Sequence, residues 1–583
     1  MNHNSAALRP NPPLSGLPRR VDVLVIGSGA AGLAAAITAA SRGLSVLVAE
    51  KASQFGGTTA FSGGWLWVPH NPAVRAAGIE EPEDEPRLYL RAVLGNQYDD
   101  CKISTYLKAA PQMADFFIRN TEVQFLPGAA MPDFHGNLPG AAKGGRSMVA
   151  APYDGKALGP LLPRLRQPIP ETTFLGMGIA SGMDLYHFLH ATRKPRSFLH
   201  VSKRVARHLK DLALHGRAMQ LVNGNALAAR LLRSAADNGV ALHENLEVIR
   251  LTLENNGVTG AVLHGPQGAS AITARAVILA TGGFPHDTLR QQTQFPHIKS
   301  GTPHASAAPP ENNGGGLRLG EQAGGHVRND LPDAGAWAPI SLPPRRDGTT
   351  GRFPHLIDRA KPGIIAVTAN GQRFVNEAGP YHDFMRALFT ASPPGEPVQA
   401  WLICDSIFLH RYGLGAVKPF PVPKTAYLRN GYLKRGKTLA ALAAACFINA
   451  PALAQTISTY NAGARRGEDS EFGRGATLFQ RVSGDADITP NPCLAPIAKA
   501  PFYAVRILPG SLGTFAGLDT DEHARVLNEH NQPIPGLFAV GNDMSSIMGG
   551  HYPSGGITLG PAMTFGWLAA NFIADHIADH QES

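Results

Sequence analysis

The sequence predicts an α/β fold in which strands from both ends of the chain share one parallel sheet. Residues 21–50 read as strand, glycine-rich turn, helix and second strand, the order of a nucleotide-binding βαβ unit. Residues 276–283, AVILATGG, read as a buried strand that runs into a glycine turn, and residues 537–542, LFAVGN, repeat that pattern. Because the stretch between them is richer in Pro, His and aromatic residues and has no nucleotide signature, an α+β insertion is expected there.

The first unit carries the residues of a dinucleotide site. Residues 21–26 form a short apolar run rich in β-branched side chains, as a buried parallel strand requires. Gly27, Gly29 and Gly32 follow with the G-x-G-x-x-G spacing, which permits a tight turn, close approach of a pyrophosphate and close helix packing. Glu50 ends the second strand 18 residues after Gly32, where a carboxylate accepts hydrogen bonds from a ribose. Their neighbours Ala30, Ala31 and Lys51 are expected in the same site.

Length and composition narrow the function classes. A chain of 583 residues is longer than one hydrophobic core usually supports, so more than one domain is expected. Its hydrophobic fraction of 44% is typical of a globular protein. The net charge is +9, but the basic residues are spread along the chain without basic runs or a nucleic-acid motif. Nucleic acid is therefore not expected as a partner. The four cysteines lie far apart and match no metal or haem motif. No apolar run reaches the roughly 18 residues of a membrane span, so a cytoplasmic protein without an integral membrane segment is expected.

Residues 54–69, QFGGTTAFSGGWLWVP, indicate which dinucleotide is bound. Their glycines allow the backbone to approach a flat ring, and their hydroxyl groups offer hydrogen bonds. This stretch resembles the segment after the ribose-binding acid in the fumarate reductase and 3-ketosteroid dehydrogenase superfamily of flavoproteins. The resemblance implies FAD, held non-covalently because residues 54–57 lack the histidine used by succinate dehydrogenases. The residues expected along the flavin are Gly57, Thr58, Thr59, Ser62, Gly63 and Gly64.

Later segments are expected to return to the cofactor. Two glycine turns do so after the strands that end near residues 279 and 540. A third segment is a glycine-rich loop that runs into a helix, whose N-terminus would stabilise negative charge at the N1–C2=O edge of a reduced flavin. The expected cofactor residues in these segments are Ala280, Thr281, Gly282, Gly541, Asn542, Thr558 and Leu559.

These segments divide the chain into predicted domains. Residues 1–20, rich in Pro, Asn and Ser, are expected to be a disordered tail without a targeting signal. A Rossmann-like FAD-binding domain is expected in two parts, residues 21–284 and 496–583, with an α+β catalytic cap domain inserted at residues 285–495. Residues 126–159 are so dense in Gly and Pro that they are expected to be irregular and to line the substrate pocket.

Two segments resemble the catalytic motifs of ketosteroid 1-dehydrogenases, a family that the chain resembles over nearly its whole length. They are GQRFVNEAGPYHD at residues 371–383 and MGGHYPSGGITLGPAMTF at residues 548–565. The resemblance implies that Tyr381 is the proton-abstracting base, and that Tyr552 and the backbone N–H of Gly556 hold the C3 ketone. Desaturation beside a ketone needs both functions, because the α-proton becomes acidic only when the carbonyl is polarised. A phenol with a pKa of about 10 needs a hydrogen-bond relay or a positive field to act as a base.

Two positions depart from that family. Its loop usually carries a tyrosine that supports the base, and this position aligns with Phe134, which has no hydroxyl; the adjacent His135 offers a substitute. Its Y-P-G-x-G motif has Ser554 in place of the first glycine here. That serine makes the motif resemble the Tyr-x-Ser of ketosteroid 4-(5α)-dehydrogenases, so the choice between 1,2- and 4,5-desaturation stays open.

The fumarate reductase branch is a poorer match. Those enzymes bind a dicarboxylate with a His before a Gly-Gly turn and with an Arg in the helix-entry loop. Residues 512–517, LGTFAG, contain no His, and residues 555–558, GGIT, contain no Arg. The aromatic residues Phe134, Trp65 and Phe515 instead favour an apolar polycyclic substrate.

The sequence therefore predicts an FAD-dependent oxidoreductase acting on CH–CH groups, a 3-ketosteroid dehydrogenase that introduces the 1,2 double bond. Tyr-assisted proton abstraction and hydride transfer to flavin N5 are the expected steps. One alternative is the 4-(5α) regiochemistry, and another is a dehydrogenase or ene-reductase acting on a non-steroid cyclic ketone. A flavin-binding protein without turnover is a third, against which the two tyrosines argue. A small ketone and an external electron acceptor are the expected partners, and no metal is expected.

Overall fold

The computed structural model of the chain describes residues 17–582. Most of the predicted disordered tail, residues 1–20, lies outside the described residues, and the first strand begins at Arg20. No helix within residues 17–582 combines the length and apolar character that crossing a bilayer requires.

Strands and helices alternate through most of this range. The strands are β1 (Arg20–Ile26), β2 (Val46–Ala49), β3 (Trp65–Trp67), β4 (Phe125–Pro127), β5 (Ser147–Ala150), β6 (Tyr153–Asp154), β7 (Gln220–Leu221), β8 (Ala241–His243), β9 (Glu247–Glu254), β10 (Gly257–Gly265), β11 (Gly268–Leu279), β12 (Gly335–Ser341), β13 (Phe353–Pro354), β14 (Ile364–Val367), β15 (Ala400–Cys404), β16 (Lys434–Gly436), β17 (Phe502–Thr514), β18 (Arg525–Leu527) and β19 (Pro533–Ala539). The α-helices are α1 (Ala30–Ser41), α2 (Pro72–Ala76), α3 (Glu85–Leu94), α4 (Asp100–Asn120), α5 (Met183–His190), α6 (Pro195–His215), α7 (Asn223–Asp237), α8 (Thr288–Gln294), α9 (Gly315–Gln322), α10 (Tyr381–Ala391), α11 (Ser406–Tyr412), α12 (Thr425–Arg429), α13 (Leu439–Cys446), α14 (Ala450–Arg466), α15 (Leu478–Ser483) and α16 (Leu559–Glu582). The mixed α/β class is thereby confirmed.

The main sheet joins strands from both ends of the chain. Its order is β18-β19-β11-β1-β2-β8, and β10 and β9 continue antiparallel from β11. β1 pairs in parallel with β2 and β11, so that Val25 lies opposite Val48 and Ile278. β11 also pairs in parallel with β19. The carboxyl ends of these parallel strands therefore meet at one edge, where α/β sheets bind their ligands.

Small residues hold α1 tightly against this sheet. A Cβ on Gly32 would lie 2.1 Å from the Gly27 carbonyl oxygen. Gly27 has a φ of +108°, and a Cβ there would lie 2.3 Å from the Ala280 carbonyl oxygen. α16 packs on the other side of α1, where a Cβ on Gly566 would lie 2.5 Å from the Ala31 carbonyl oxygen. Because of these close contacts, the turn between β1 and α1 packs directly against the end of β11.

The second sheet is antiparallel and supports the other wall of the site. Its order is β13-β12-β17-β15-β14, with β16 paired to β17. Its long strand β17 covers residues 502–514, so part of the predicted second FAD-binding segment, 496–583, pairs in this sheet. A continuous buried cluster includes Val25 of the main sheet, Trp337 and Val505 of the second sheet, and both Tyr381 and Tyr552.

A small sheet corrects one sequence expectation. Residues 126–159 were expected to be irregular, but residues 147–150, SMVA, form β5 and pair with both β3 and β4. Gly and Pro are concentrated between residues 127 and 145, and residues 147–150 contain neither. This short segment can therefore form a strand, and its pairing with two neighbouring strands stabilises it. The loop before β5 remains without regular structure and reaches the cavity described next.

Candidate active site

A cavity of about 1090 Å³ opens where the parallel strands of the main sheet end. It exceeds the ~300–1,000 Å³ of ordinary small-molecule sites, so it has room for a cofactor and a substrate together. The predicted cofactor residues line it with the exception of Gly32, which packs behind Gly27. Those that line it are Gly27, Gly29, Ala30, Ala31, Glu50, Lys51, Gly57, Thr58, Thr59, Ser62, Gly63, Gly64, Ala280, Thr281, Gly282, Gly541, Asn542, Thr558 and Leu559.

The N-terminus of α1 forms one end of the cavity. Gly29 is the N-cap residue of α1, and it has no side chain to cap the helix. The Ala30 N–H donates to Thr59 Oγ1 at 2.9 Å, which ties the helix start to the glycine-rich segment after β2. Because helix N-termini carry partial positive charge, this end is suited to a pyrophosphate.

Glu50 is fixed beside that helix. Its Oε2 accepts hydrogen bonds from the Ser28 N–H at 3.1 Å and from Ser28 Oγ at 2.6 Å, and its Oε1 accepts from the Ala52 N–H at 2.8 Å. Burial raises the pKa of Glu50, although these donors oppose the shift. The adjacent Lys51 forms an ion pair with Glu247 at 2.8 Å. The Glu50 carboxylate thus stands at the end of β2, where the G-x-G-x-x-G spacing predicts a ribose.

Two polar residues that the sequence did not single out join the turns along the cavity. Asn312 Nδ2 donates to Thr58 Oγ1 at 2.9 Å and to the Gly282 carbonyl oxygen at 3.1 Å. The buried Asp543 carboxylate accepts from the N–H groups of Thr281 and Gly283 at 2.5 and 2.9 Å. Asp543 directly follows the predicted Gly541-Asn542 turn, whereas nothing in the local sequence connects Asn312 with Thr58.

These features fit FAD. A dinucleotide requires a helix N-terminus for its phosphates, a carboxylate for a ribose and backbone that approaches a flat ring closely, and the cavity offers all three. At Gly64 the φ is +71°, and a Cβ would lie 2.4 Å from the backbone carbon of Asn223. The glycine at this position is therefore required by the packing of the chain beside the cavity.

The far end of the cavity is aromatic. Tyr381 is the first residue of α10, and its ring centroid lies 4.9 Å from that of Tyr552, at an angle of 71°. Phe134 packs edge-to-face on Tyr381 at 5.6 Å and parallel to Tyr552 at 5.8 Å, and Phe479 lies 4.5 Å from Phe134. Trp65 lines the same cavity. The structure therefore brings together residues that are far apart in sequence.

Phe515 and Ser554 do not reach the cavity. Phe515 packs behind Tyr552, with 5.9 Å between the ring centroids. Ser554 is fully buried, and its Oγ finds no hydrogen-bond partner among the described residues. His135, the proposed substitute for a supporting tyrosine, has its Nδ1 3.7 Å from an Asp383 carboxylate oxygen.

A buried arginine supplies positive charge near Tyr381. Arg359 donates from Nη1 to the Glu377 carbonyl oxygen at 2.7 Å and from Nη2 to the Gly379 carbonyl oxygen at 3.3 Å. It thereby holds the turn that leads into α10. Burial raises the pKa of Tyr381 well above 10, the Tyr552 phenol raises it further, and Arg359 opposes both effects. Burial also lowers the pKa of Arg359 to about 10.

Gly556 offers a backbone donor beside the tyrosines. It lines the cavity, and its N–H donates to no acceptor among residues 17–582. Its φ is +102°, and a Cβ there would lie 2.5 Å from the Trp67 nitrogen. Its carbonyl oxygen accepts from Trp67 and Gly560 at 3.0 and 2.9 Å. The peptide is thus held in one orientation.

The chain is similar to known flavoproteins along most of its length. A family model described as FAD binding domain matches residues 22–559. A 4-oxocyclohex-2-ene-1-carboxylate 5-dehydrogenase of Sinomonas cyclohexanicum is 40% identical over 95% of this chain and 93% of that protein. A 3-oxosteroid 1-dehydrogenase of Mycolicibacterium smegmatis is 35% identical over 95% of this chain and 97% of that protein.

A solved structure shows the same relationship. The 3-ketosteroid delta1-dehydrogenase from Sterolibacterium denitrificans, in complex with 1,4-androstadiene-3,17-dione, superposes with a TM-score of 0.88 at 36% identity. The match covers 96% of this chain and 100% of that chain. The protein therefore belongs to the FAD-dependent 3-ketosteroid dehydrogenase family of the fumarate reductase superfamily, and it is an FAD-binding oxidoreductase acting on CH–CH groups.

Proposed function

We propose that the protein desaturates the ring of a cyclic ketone next to the carbonyl, and that 1,2-dehydrogenation of a 3-ketosteroid is its reaction. The observation that carries this proposal is the meeting of Tyr381 and Tyr552 with the Gly556 N–H at one aromatic end of the cavity. That N–H has no acceptor among the described residues. The other end has the features of a dinucleotide site, so a ring bound between the tyrosines lies in the same cavity as the cofactor.

Tyr552 and Gly556 hold the ketone oxygen. The hydroxyl of Tyr552 and the N–H of Gly556 both donate to it, and negative charge grows on that oxygen as the α-proton leaves. Donors that are fixed before the reaction stabilise such charge most, because they do not need to reorient. The tight packing of Gly556 against Trp67 provides that rigidity.

Tyr381 removes the proton next to the ketone. Burial alone would make its phenol a poor base, but Arg359 and the N-terminus of α10 favour the phenolate. When bound, FAD supplies the two-electron acceptor for the hydride that leaves the neighbouring carbon. FAD would also need an external electron acceptor to be reoxidised. We assign the catalytic cap domain to residues 285–495, which contain Tyr381 and Arg359.

The surroundings of the tyrosines favour an apolar ring system. Phe134 and Phe479 line this part of the cavity, and the apolar Met131 and Leu356 line the same cavity. The 4-(5α) regiochemistry depends on Ser554, and the burial of Ser554 away from the cavity argues for the 1,2 position instead. A second candidate, a smaller cyclic keto acid, is favoured by the 40% identity to the 4-oxocyclohexene carboxylate dehydrogenase.

Anaerobic mixing with three substrates separates these candidates. The purified FAD-containing protein is mixed with a 3-keto-4-ene steroid, its 5α-saturated analogue or 4-oxocyclohexanecarboxylate, and the oxidised-flavin absorbance near ~450 nm is followed. Loss of absorbance with the 3-keto-4-ene supports 1,2-dehydrogenation, because its 4,5 bond is already unsaturated. Loss only with the 5α compound would move the reaction to the 4,5 bond, and loss only with the cyclohexane acid would exclude the steroid.

A further inference from the structure

A second cavity, of about 760 Å³, lies next to the first. The two share part of their lining, including Leu356, Ile357 and Lys361. The second cavity is enclosed by α5, α6 and two loops, at residues 172–179 and 417–422. Most of its lining is apolar, with contributions from Phe174, Phe188, Phe198, Val205, Leu209 and Phe420.

Three cationic side chains line this second cavity, and none of them forms an ion pair with a described residue. Lys361 Nζ donates to the carbonyl oxygens of Ser483 and Gly484 at 2.8 and 2.6 Å. Lys418 Nζ donates to the Glu171 carbonyl oxygen at 2.6 Å, and Arg217 Nη1 to the Leu162 carbonyl oxygen at 2.8 Å. Among the described residues, no carboxylate oxygen lies within 4 Å of any of the three.

Among the described residues that line this cavity, one is acidic, so the three cations are in excess. It is Asp358, whose Oδ2 lies 2.6 Å from His355 Nδ1. Burial lowers the pKa values of Lys361 and Lys418 to about 8, although Asp485 and Asp358 near Lys361, and Glu171 near Lys418, oppose the shift. A lysine has three N–H donors, so each keeps at least one for a ligand.

We propose that the second cavity binds the carboxylate end of the substrate, which is a cyclic ketone with a long apolar arm that ends in an acid. The ring would lie between Tyr381 and Tyr552, and the arm would pass Leu356 and Lys361 into the second cavity. The carboxylate there receives hydrogen bonds from Lys418 and Lys361. The ring end of this inference rests on the proposed function, whereas the charge argument depends only on the second cavity.

The test compares an acid with its neutral ester. The probes are 3-oxochol-4-en-24-oic acid and its methyl ester, assayed at pH 7 with wild-type protein and with Lys418→Met, Lys418→Arg, Lys361→Met and Lys424→Met. Lys424 is the matched control, because it lines neither cavity. We expect Lys418→Met to lower the acid-to-ester ratio of kcat/KM at least about tenfold, Lys418→Arg to restore most of it, and Lys424→Met to leave it unchanged.

A binding measurement removes the dependence on turnover. Calorimetric titration with 5β-cholan-24-oic acid, which has no ketone to react, should give a dissociation constant that rises at least about tenfold in Lys418→Met. An unchanged constant, together with an unchanged acid-to-ester ratio, would overturn the second cavity as the carboxylate site. So would an effect confined to Lys361→Met, since Lys361 also lines the first cavity. If neither sterol probe is oxidised but the acid still binds through Lys418, the proposed function fails and the anion site stands.

Discussion

Tyr381 lies where burial and nearby charge act on its hydroxyl in opposite directions. Burial raises the pKa of Tyr381, and Arg359 lowers it. Once the sequence predicts Tyr381 as the base, general chemistry requires a positive field near it, because a phenol is a weak base at neutral pH. The source of the field was not predictable, because Arg359 lies 22 residues before Tyr381 and meets it only through the folded turn at residues 377–379.

Replacing the base should remove most of the rate and leave the cofactor. We expect Tyr381→Phe to retain FAD and to lose at least about 100-fold in kcat, as for a lost general base. Tyr98→Phe, a tyrosine outside the lining of both cavities, is the control and should keep its rate. Steady-state rates with a dye as electron acceptor measure the effect, and near wild-type turnover in Tyr381→Phe would remove this residue from the role of base.

The pH profile should report the raised pKa. A base must lose its proton before it reacts, and below its pKa the phenolate fraction rises about tenfold per pH unit. Since the pKa of Tyr381 lies well above 10, log kcat/KM should climb with a slope near one from pH 7 to pH 9 without a plateau. Initial rates at saturating acceptor provide the profile. A plateau below pH 8 would point to a different base.

The carbonyl clamp can be tested with two neighbouring substitutions. Tyr552→Phe removes a donor to the ketone oxygen and should lower kcat/KM by about 10²–10³. Ser554→Ala changes a buried residue outside the cavity lining and should keep kcat/KM within about twofold. Product analysis by mass spectrometry and NMR accompanies the rates. A Ser554→Ala variant that loses activity as Tyr552→Phe does would favour the 4-(5α) arrangement.

Several elements were predictable because their local patterns agree with their packing. The helix expected within residues 21–50 is α1, and the buried strands expected near residues 276 and 537 are β11 and β19. The helix expected after the last glycine-rich loop is α16, which extends from Leu559 to Glu582. Strand β5 was not predictable from its four residues, because only its pairing with β3 and β4 stabilises it.

The start of α1 makes a prediction at this scale. A Cβ at Gly32 would lie 2.1 Å from the Gly27 carbonyl oxygen, so Gly32→Ala must push the helix away from the phosphate end of the cavity. We expect the apoprotein to be destabilised by about 1–3 kcal/mol and to bind FAD more weakly. Gly136→Ala is the control, because a Cβ there meets nothing within 4 Å. Normal FAD content in Gly32→Ala, measured by flavin absorbance after gel filtration, would contradict this packing argument.

At the scale of the whole molecule, the site exists because distant segments meet. The G-x-G-x-x-G spacing within residues 21–50 indicates the dinucleotide end of the site by itself, because each glycine is required by the local backbone around it. The catalytic end joins residues 134, 381, 479 and 552, and no pattern within any one of these segments shows that they touch. Likewise, the three cations around the second cavity, which form no ion pair with a described residue, come from separate segments, so only the fold reveals their shared surroundings.

The most direct measurement is a single anaerobic turnover with a 3-keto-4-ene steroid that carries deuterium at C2, the saturated carbon next to the C3 ketone. The wild-type protein should reduce its flavin, release the label to solvent and form the 1,2-unsaturated product, whereas Tyr381→Phe should do none of these at a comparable rate. Flavin absorbance and mass spectrometry follow the two events in the same sample. Label release and flavin reduction at equal rates in both proteins would contradict the assignment of Tyr381 as the base, and no reduction in either would contradict the steroid as substrate.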